Sequence, residues 1–343
     1  MRIGVLTGGG DAPGLNAAIR GVVLRATALG HEVHGIADGW AGLIDGRARP
    51  LSAGDVAHIL PEGGTVLGTS RTDPRKAEAH RRACLEQLKA LRLDAVVAIG
   101  GNDTLRVADW LNQQGVAVVG VPKTVDNDLS ETDYCVGFDT AVSVVTDALD
   151  RLRTTASAHH RVMVVEAMGR DTGWVAAYGG LAGGADVILV PEIPTTSAEV
   201  VGAVRRLKER GDDDIIVVVA EAVEIAGLEA ETTIDQDAFG HARLDQRAIG
   251  AVLARHIEER TGIEARVVVL GHLQRGGSPT AIDRIWATRF GTSAADLVSA
   301  GRSGVLPVAR GGVVGVSTLV AAVATTRRLD PATVELVRRL AGT

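Results

Sequence analysis

The sequence has few aromatic residues, few cysteines and no excess of positive charge. Phe, Trp and Tyr make up 3% of the 343 residues, and the two cysteines are Cys84 and Cys135. Two cysteines form neither a disulfide framework nor a common zinc pattern, which favours a reducing compartment. A formal net charge of −6 argues against a nucleic-acid-binding or anionic-membrane surface, although a local basic pocket remains compatible with it.

Long apolar runs, low-complexity linkers and internal repeats are also missing. No uninterrupted apolar stretch reaches the length that crosses a bilayer. The chain opens with MRIGVLTGGG, in which a predicted strand begins at once, so we expect no signal peptide. Together with the cysteine content, these features predict a cytoplasmic protein whose partners include neither nucleic acid nor a membrane.

The remaining composition is that of a globular α/β protein. Apolar residues make up 46% and charged residues 23%, and the length favours two domains over one. Short β-branched runs alternate with helical patterns, which is typical of parallel sheets covered by helices on both faces. The predicted strands are 3–7, 95–99, 116–121, 162–166, 187–190, 215–219 and 267–270. The predicted helices are 16–29, 76–91, 104–111, 140–153, 198–210, 248–261, 281–300 and 325–341, and an exposed excursion is predicted at 224–241.

The most informative segment is 120–128, GVPKTVDND, which follows the apolar run 116–119. Open α/β sheets bind their ligands at the carboxyl ends of strands. Lys123, Asp126 and Asp128 offer a charge clamp, a general base and a metal-linked carboxylate, which phosphoryl transfer requires. The alternative is a Pro-Asn-Asp turn with solvated charges, which is the commoner origin of a lone D-N-D.

Three glycine-rich loops accompany this segment. Residues 7–16, TGGGDAPGLN, join a strand to a helix, and their backbone N–H groups have room to approach an anion. This loop lacks the third glycine of the dinucleotide fingerprint and the lysine of a Walker A motif. Residues 99–104, IGGNDT, place Asn102 and Asp103 at a helix start, where helix capping is the alternative role. Residues 63–75 carry two arginines suited to phosphate oxygens.

Arginines flank two further predicted strands. RVMVVEAMGR at 161–170 and RVVVLGHLQRGG at 266–277 share one plan, in which an arginine precedes the strand and a glycine loop with another cation follows it. Glu221 ends a third strand in a similar way. A phosphosugar requires cations for its phosphate and carboxylates for its hydroxyls, so several such clusters favour a binding site. His272 is either a catalytic base or a hydrogen-bond donor to a phosphate, and the arginines around it favour the second role.

Taken in order, these segments resemble the phosphofructokinases, from residue 3 to about residue 291. The resemblance rests on TGGGDAPGLN, GGTVLGTSR, IGGND, PKTVDND, RVMVVEAMGR, VVVAE and LGHLQRGGSPTAIDR. It implies an α/β fold of two Rossmann-like three-layer domains with largely parallel sheets and an active site in the interdomain cleft. It further implies a phosphoryl-donor domain of 1–137 plus about 274–325, and a sugar-phosphate domain of 138–273 plus about 326–343.

The resemblance also implies a role for each matching residue. Asp126 would accept the proton of the sugar C1 hydroxyl, with Lys123, Thr124 and Asp128 beside it. The phosphoryl donor would contact Gly9, Gly10, Arg71 and Asp103. The sugar phosphate would be bound by Met168, Gly169, Arg170, Glu221, His272 and Arg275, with Arg161 and Arg266 reaching in from a neighbouring subunit. This last contribution implies a homodimer or a homotetramer.

Two positions bear on the identity of the donor. The ATP-dependent members of the family carry glycine where this chain has Asp103 and Lys123, and a related ATP-dependent group keeps only the lysine. A carboxylate at Asp103 would repel the α-phosphate of a nucleotide, whereas Lys123 supplies a point charge for a short, highly charged donor. The resemblance therefore implies reversible phosphoryl transfer from pyrophosphate, with Mg²⁺, to fructose 6-phosphate. ATP is the alternative donor.

Three positions depart from the family pattern. Asn102 replaces an acidic residue near the magnesium, so we expect Asn102 and Asp103 as the metal ligands and a weaker magnesium site. Asp171 stands where relatives often have His or Tyr, which makes another acceptor, such as sedoheptulose 7-phosphate, the alternative substrate. Ala222 replaces a usual glycine. A non-catalytic metabolite-binding paralogue is the non-enzyme alternative, and the presence of Asp126 argues against it.

Overall fold

A computed structural model describes residues 1–228 and 247–341 of the chain. The chain divides into two compact units. Unit 1 comprises Met1–Thr140 and Arg275–Thr326, and unit 2 comprises Ala141–Gln274 and Arg327–Thr343. The assignment of a phosphoryl donor to one unit and of a sugar phosphate to the other remains a prediction.

In chain order the strands are β1 (Arg2–Thr7), β2 (Glu32–Ile36), β3 (Ala48–Leu51), β4 (Ala95–Gly100), β5 (Ala117–Pro122), β6 (Val162–Ala167), β7 (Val187–Leu189), β8 (Thr195–Thr196), β9 (Ile215–Ala220), β10 (Ile225–Ala226), β11 (Ala265–Val269), β12 (Val305–Arg310) and β13 (Val313–Thr318). The helices are α1 (Leu15–Ala28), α2 (Gly39–Ile44), α3 (Glu78–Ala90), α4 (Asn102–Gln113), α5 (Phe138–His159), α6 (Trp174–Ala182), α7 (Ser197–Glu209), α8 (Ile249–Thr261), α9 (Ala281–Ser299), α10 (Leu319–Ala322) and α11 (Pro331–Leu340). Short 3-10 helices lie at Pro74–Lys76 and Gly271–Gln274.

Unit 1 is built on a seven-stranded sheet in the order β13-β12-β5-β4-β1-β2-β3. The five inner strands run parallel, and β13 and β3 pair antiparallel at the two edges. Because side chains alternate along a strand, Val5 of β1 faces a core formed with α1 and α9, whereas Leu6 faces a core that includes α3 and α4. Helices thus cover both faces, and the carboxyl ends of β1, β4 and β5 lie side by side.

Glycine allows the two helices on one face of this sheet to touch through their backbones. A Cβ on Gly21 of α1 would lie 2.9 Å from the carbonyl oxygen of Thr288, and one on Gly291 of α9 would lie 2.3 Å from that of Ala18. Any side chain at either position would therefore separate α1 from α9. This close packing fixes the start of α1 beneath the glycine-rich loop that precedes it.

Unit 2 contains a four-stranded parallel sheet in the order β11-β6-β9-β7. Strands β6 and β9 are buried along their whole length, while Val267 and Val269 of the edge strand β11 are exposed. Helices α7 and α8 form a core on one face of the sheet, and α6 packs against β6, β7 and β9. Strands β8 and β10 form a separate two-stranded parallel ladder.

The predicted α/β class with largely parallel sheets is confirmed, and each predicted strand and helix has a counterpart in the structure. The helix predicted at 325–341 begins later, at Pro331, where Asp330 caps it by accepting a hydrogen bond of 2.9 Å from the Thr333 N–H. The sequence prediction missed the strands β2, β3, β8, β10, β12 and β13 and the helices α2, α6 and α10. The excursion predicted at 224–241 contains β10, and residues 229–241 lie outside the described part of the chain. None of the described helices is both long enough and apolar enough to cross a bilayer.

Candidate active site

The segment 120–128 turns sharply after β5, and its turn is held by an asparagine. Asn127 has a left-handed backbone with a φ of 49°. Its side-chain oxygen accepts a hydrogen bond of 2.9 Å from the Cys135 N–H, and its amide nitrogen donates to the Asp133 carbonyl at 3.3 Å. Asp126 donates its backbone N–H to Thr124 Oγ1 at 3.2 Å. The D-N-D motif is therefore a turn, as the alternative interpretation stated, but it is tied firmly to the interior of unit 1.

Lys123 is the buried cation of this segment. Its side chain is 3% exposed, and Nζ donates to the carbonyl oxygen of Gly8 at 3.2 Å and also to that of Gly10. Burial is the main reason that the pKa of Lys123 falls to about 8, and the nearby positive charge of Arg275 lowers it further. The carboxylates of Asp11 and Asp126 act in the opposite direction. Lys123 therefore reaches the glycine-rich loop, as a cation for a phosphoryl donor would have to.

The glycine-rich loop after β1 presents its carbonyl oxygens to this lysine. The N–H of Gly8 donates to the Ile99 carbonyl at 3.0 Å, and the N–H of Gly9 donates to the Ser70 carbonyl at 3.1 Å. These two N–H groups are thus engaged within unit 1, and the donor contacts expected at Gly9 and Gly10 remain a prediction. Thr69 Oγ1 donates to the Gly9 carbonyl at 2.7 Å, which brings the loop that carries the exposed Arg71 beside Gly9.

Asn102 and Asp103 form the first turn of α4, next to the loop that contains the catalytic candidates. Asn102 Nδ2 donates to Asp128 Oδ2 at 3.1 Å, so the two predicted residues contact each other. Arg75, one of the two arginines that the sequence suggested for phosphate oxygens, forms a two-point ion pair with Asp73 at 2.9 and 2.8 Å. This pair, with a smaller contribution from the charge of Asp103, raises the pKa of Arg75.

The oxygens of Asn102 and Asp128 are hard ligands of the kind that Mg²⁺ prefers. Within residues 1–228 and 247–341, no group of three or more His, Cys, Asp or Glu side chains could hold a metal ion by itself. Mg²⁺ commonly binds through one or two protein ligands and completes its shell with water and substrate phosphates. The residues therefore fit a magnesium ion that arrives with a phosphate ligand and do not form a complete protein cage.

In unit 2, two side chains fix the loop that follows β6. The N–H of Met168 donates to Gln274 Oε1 at 3.1 Å, and the N–H of Gly169 donates to Glu221 Oε1 at 3.2 Å. Gly169 has a φ of 155°, and a Cβ there would lie 2.4 Å from the Thr172 carbonyl oxygen, so only glycine fits. The structure thus brings together Met168, Gly169 and Glu221, as predicted for a sugar-binding group.

Gln274 is a residue that the sequence analysis missed. It is fully buried, and its Nε2 donates to the Gly271 carbonyl at 3.1 Å while its oxygen accepts from Met168. The amide therefore links the loop after β6 to the 3-10 helix that carries the exposed His272. Its position two residues after His272 could have marked Gln274 as part of the site, but the sequence alone does not show that it bonds to Met168.

Arg161 and Arg266 lie together, but at the opposite end of the sheet. Both approach Glu264 Oε1, with Arg161 Nη1 at 3.5 Å and Arg266 Nη2 at 2.7 Å. Arg161 precedes β6 and Met168 follows it, and a strand of this length spans about 20 Å. The sequence already places Arg161 and Arg266 before their strands, and the structure adds that the two side chains share Glu264. Arg170 follows β6 at its carboxyl end.

The end of the family motif at 270–284 carries a structural carboxylate. Asp283 is fully buried and accepts hydrogen bonds from the Tyr134 hydroxyl and the Gly137 N–H, both at 2.6 Å. It also accepts from the Thr140 N–H at 2.8 Å and the Thr140 hydroxyl at 2.6 Å. Burial raises the pKa of Asp283, against the effect of these donors. Asp283 therefore anchors the start of α5 in unit 1, a role that the sequence did not reveal.

Comparisons with known proteins identify the family to which the chain is similar. Residues 2–298 match the family model described as Phosphofructokinase. The pyrophosphate–fructose 6-phosphate 1-phosphotransferase of Dictyoglomus thermophilum is 50% identical over 340 residues, covering 98% of each chain. The ATP-dependent 6-phosphofructokinase 2 of Streptomyces coelicolor is 48% identical over 317 residues, covering 91% of each. The structure of phosphofructokinase from Saccharomyces cerevisiae matches with a TM-score of 0.84 at 27% identity over 99% of this chain, which spans about half of that protein (47%).

Proposed function

The chain belongs to the phosphofructokinase family, and on that basis we propose that it transfers a phosphoryl group reversibly between pyrophosphate and fructose 6-phosphate. The products of the forward reaction are fructose 1,6-bisphosphate and phosphate. The observation that carries the choice of donor is the buried Lys123 ammonium on the glycine-rich loop, in a chain that also carries Asp103.

Pyrophosphate suits this pair of side chains better than a nucleotide does. Pyrophosphate is short and highly charged, so a buried ammonium contributes more to its binding than to that of a long nucleotide. Asp103 adds a negative charge to the first turn of α4, where the α-phosphate of a nucleotide would be repelled. Relatives named for pyrophosphate and relatives named for ATP are about equally identical to this chain. The individual residues Lys123 and Asp103 therefore carry the choice between the two donors.

In the proposed mechanism, the C1 hydroxyl oxygen of the sugar attacks the nearer phosphorus of pyrophosphate while Asp126 accepts the proton of that hydroxyl. The P–O bond to the second phosphate breaks as the new bond forms, and that phosphate leaves. Lys123 and Arg71 neutralise charge on the transferring group. Mg²⁺, bound with pyrophosphate and held by Asn102 and Asp103 near Asp128, would supply further charge neutralisation.

A further set of residues binds the sugar phosphate. Met168, Gly169, Arg170 and Glu221 bind the sugar, and His272 and Arg275 bind its 6-phosphate. Arg161 and Arg266 serve a neighbouring subunit of a homodimer or homotetramer. Their position at the amino ends of β6 and β11, about 20 Å of strand away from Met168, supports a contribution to another copy rather than to the same chain.

Initial rates with pyrophosphate and with ATP, each against fructose 6-phosphate, test the donor. We expect turnover with pyrophosphate and little with ATP, and the reverse result would refute the proposal. Asp103→Gly should move the preference toward ATP because it removes both the charge and the bulk. Asp103→Asn is the matched variant, since it keeps the size of the side chain and removes only the charge.

Asp171 is the residue that favours a second candidate for the phosphoryl acceptor. Asp171 is exposed and directly follows Arg170, so its carboxylate is available to a longer sugar phosphate such as sedoheptulose 7-phosphate. Values of kcat/KM measured for both acceptors decide between them. A preference for fructose 6-phosphate that is unchanged in Asp171→His would remove this alternative.

A further inference from the structure

Arg275 begins the second segment of unit 1, and its guanidinium lies on the glycine-rich loop. Arg275 Nη1 donates to the Asp11 carbonyl at 3.1 Å. The backbone of Gly10 lies so close that a Cβ there would be 2.7 Å from Nη1 and 3.1 Å from Cζ of Arg275. The side chain that the family resemblance connects with a sugar phosphate is therefore also in contact with the loop predicted to hold the phosphoryl donor.

Two cations share the carbonyl oxygens of this loop. Lys123 Nζ donates to the carbonyls of Gly8 and Gly10, and Arg275 Nη1 donates to the next carbonyl, that of Asp11. The first part of the loop is also fixed by the Gly8 and Gly9 N–H groups, which donate to β4 and to Ser70. The conformation of residues 10 and 11 depends more on Arg275. The side-chain hydrogen bonds there are the one from Lys123 to the Gly10 carbonyl and the one from Arg275 to the Asp11 carbonyl.

We propose that Arg275 is a positioning residue for the phosphoryl donor, because it holds residues 10 and 11 of the glycine-rich loop in the shape that binds pyrophosphate. The identity of the donor in this statement rests on the proposed function. This role is additional to the contact with the sugar 6-phosphate, so one guanidinium contributes to the binding of both substrates.

The guanidinium has capacity for both contacts. An arginine carries five N–H donors, and one of them bonds to Asp11. In the part of the chain that the structure describes, the Nε of Arg275 is buried and has no hydrogen-bond partner. A buried donor of this kind costs free energy until an acceptor arrives, which favours an anion as a further ligand.

The test measures donor binding in the absence of any sugar phosphate. The probe is methylenediphosphonate, a non-hydrolysable analogue of pyrophosphate, titrated with Mg²⁺ into the wild type and into Arg275→Gln and Arg275→Lys by calorimetry. Loss of a charge-assisted hydrogen bond should weaken binding about tenfold in Arg275→Gln and by less in Arg275→Lys. Arg284→Gln is the matched control, because Arg284 bonds to the Pro279 carbonyl at 2.8 Å in the same segment and does not belong to the site.

The pH dependence of diphosphonate binding gives a second test of the contact between Arg275 and the loop. Lys123 is faced by the positive charge of Arg275, by Asp11 and Asp126, and by the Cys135 thiol. Removing the arginine charge should raise the pKa of Lys123, so the alkaline loss of diphosphonate binding should move to higher pH in Arg275→Gln. Loosening of the loop would expose Lys123 and shift the limit in the same direction, so a limit that stays at the wild-type pH in Arg275→Gln would contradict the contact between Arg275 and this loop.

Equal affinity for methylenediphosphonate in the wild type and in Arg275→Gln would overturn the proposal. Arg275 would then contribute only to the binding of the sugar phosphate. If the wild type itself fails to bind the analogue, the proposed donor is wrong, and hydrogen exchange then decides the role of Arg275. Faster exchange of the peptide 7–15 in Arg275→Gln than in Arg284→Gln would support the role at the loop. Unchanged exchange would overturn it.

Discussion

Raising the pH through 8 should weaken the use of pyrophosphate, because Lys123 loses its charge in that range. Burial, together with the charge of Arg275, lowers the pKa of this lysine to about 8 in the ligand-free chain. A lysine with a lowered pKa is charged below that pH and neutral above it. The attraction for an anionic donor is therefore present at neutral pH and is lost as the pH rises.

The size of the effect follows from the titration itself. At pH 7 about nine tenths of the Lys123 side chains are charged, and at pH 9 about one tenth remain so. If only the charged form binds pyrophosphate well, kcat/KM for this donor should fall about tenfold between these two values. The bound anion favours the charged lysine, so kcat should decline at a higher pH than kcat/KM does.

The assay is a series of initial rates at varied pyrophosphate and saturating fructose 6-phosphate, from pH 6.5 to about 9.5. Lys123→Arg is the comparator, because arginine remains charged throughout this range. Ionisation of pyrophosphate affects both enzymes alike, so the ratio of their kcat/KM values isolates Lys123. A ratio that stays constant across the range would refute the argument, as would a wild-type profile that is flat through pH 9.

Three further predictions follow from individual residues. Asp126→Asn should lower kcat about a thousandfold through loss of the general base, while calorimetry shows sugar-phosphate affinity close to that of the wild type. Gln274→Ala should raise KM for fructose 6-phosphate about fivefold, because the Met168 N–H loses its acceptor, and an equal rise in KM for pyrophosphate would contradict this local role. Asp283→Ala should reduce the unfolding free energy by about 3 kcal/mol, because several buried donors lose their partner. Urea denaturation measures this loss, and Asp296→Ala, which removes an exposed ion pair on the same helix, should cost less than about 1 kcal/mol.

The prediction of the fold succeeded where one pattern dominated. The runs 95–99 and 215–219 are uninterrupted and β-branched, and each became a buried parallel strand. Two of the missed strands carry no continuous apolar signal, because Glu32–Ile36, next to the edge, contains polar residues and the edge strand Val313–Thr318 is half-exposed. Helix α6 was missed because its sequence is apolar all round and contains two glycines, which leaves no helical periodicity to detect.

For the site, the sequence identified residue types well and their partners poorly. Lys123 was recognised as a cation for the donor, but its burial and its contacts with the Gly8 and Gly10 carbonyls depend on where β1 and β5 lie in the sheet. Gln274 and Asp283 stand in a recognised motif, yet their hydrogen-bond partners are more than a hundred residues away in the chain. No local pattern encodes a contact of that range.

The sequence by itself determined the alternation of strands and helices, the residues at the strand ends and the chemical groups available for phosphoryl transfer. These properties are local, because they depend on hydrophobic periodicity and on which side chains follow each strand. The tertiary structure decided which carbonyls Lys123 and Arg275 hold, and it brought Arg161 and Arg266 together at Glu264. The sequence shows which residue precedes a strand, but only the pairing of β6 with β11 in the folded sheet brings these two amino ends side by side.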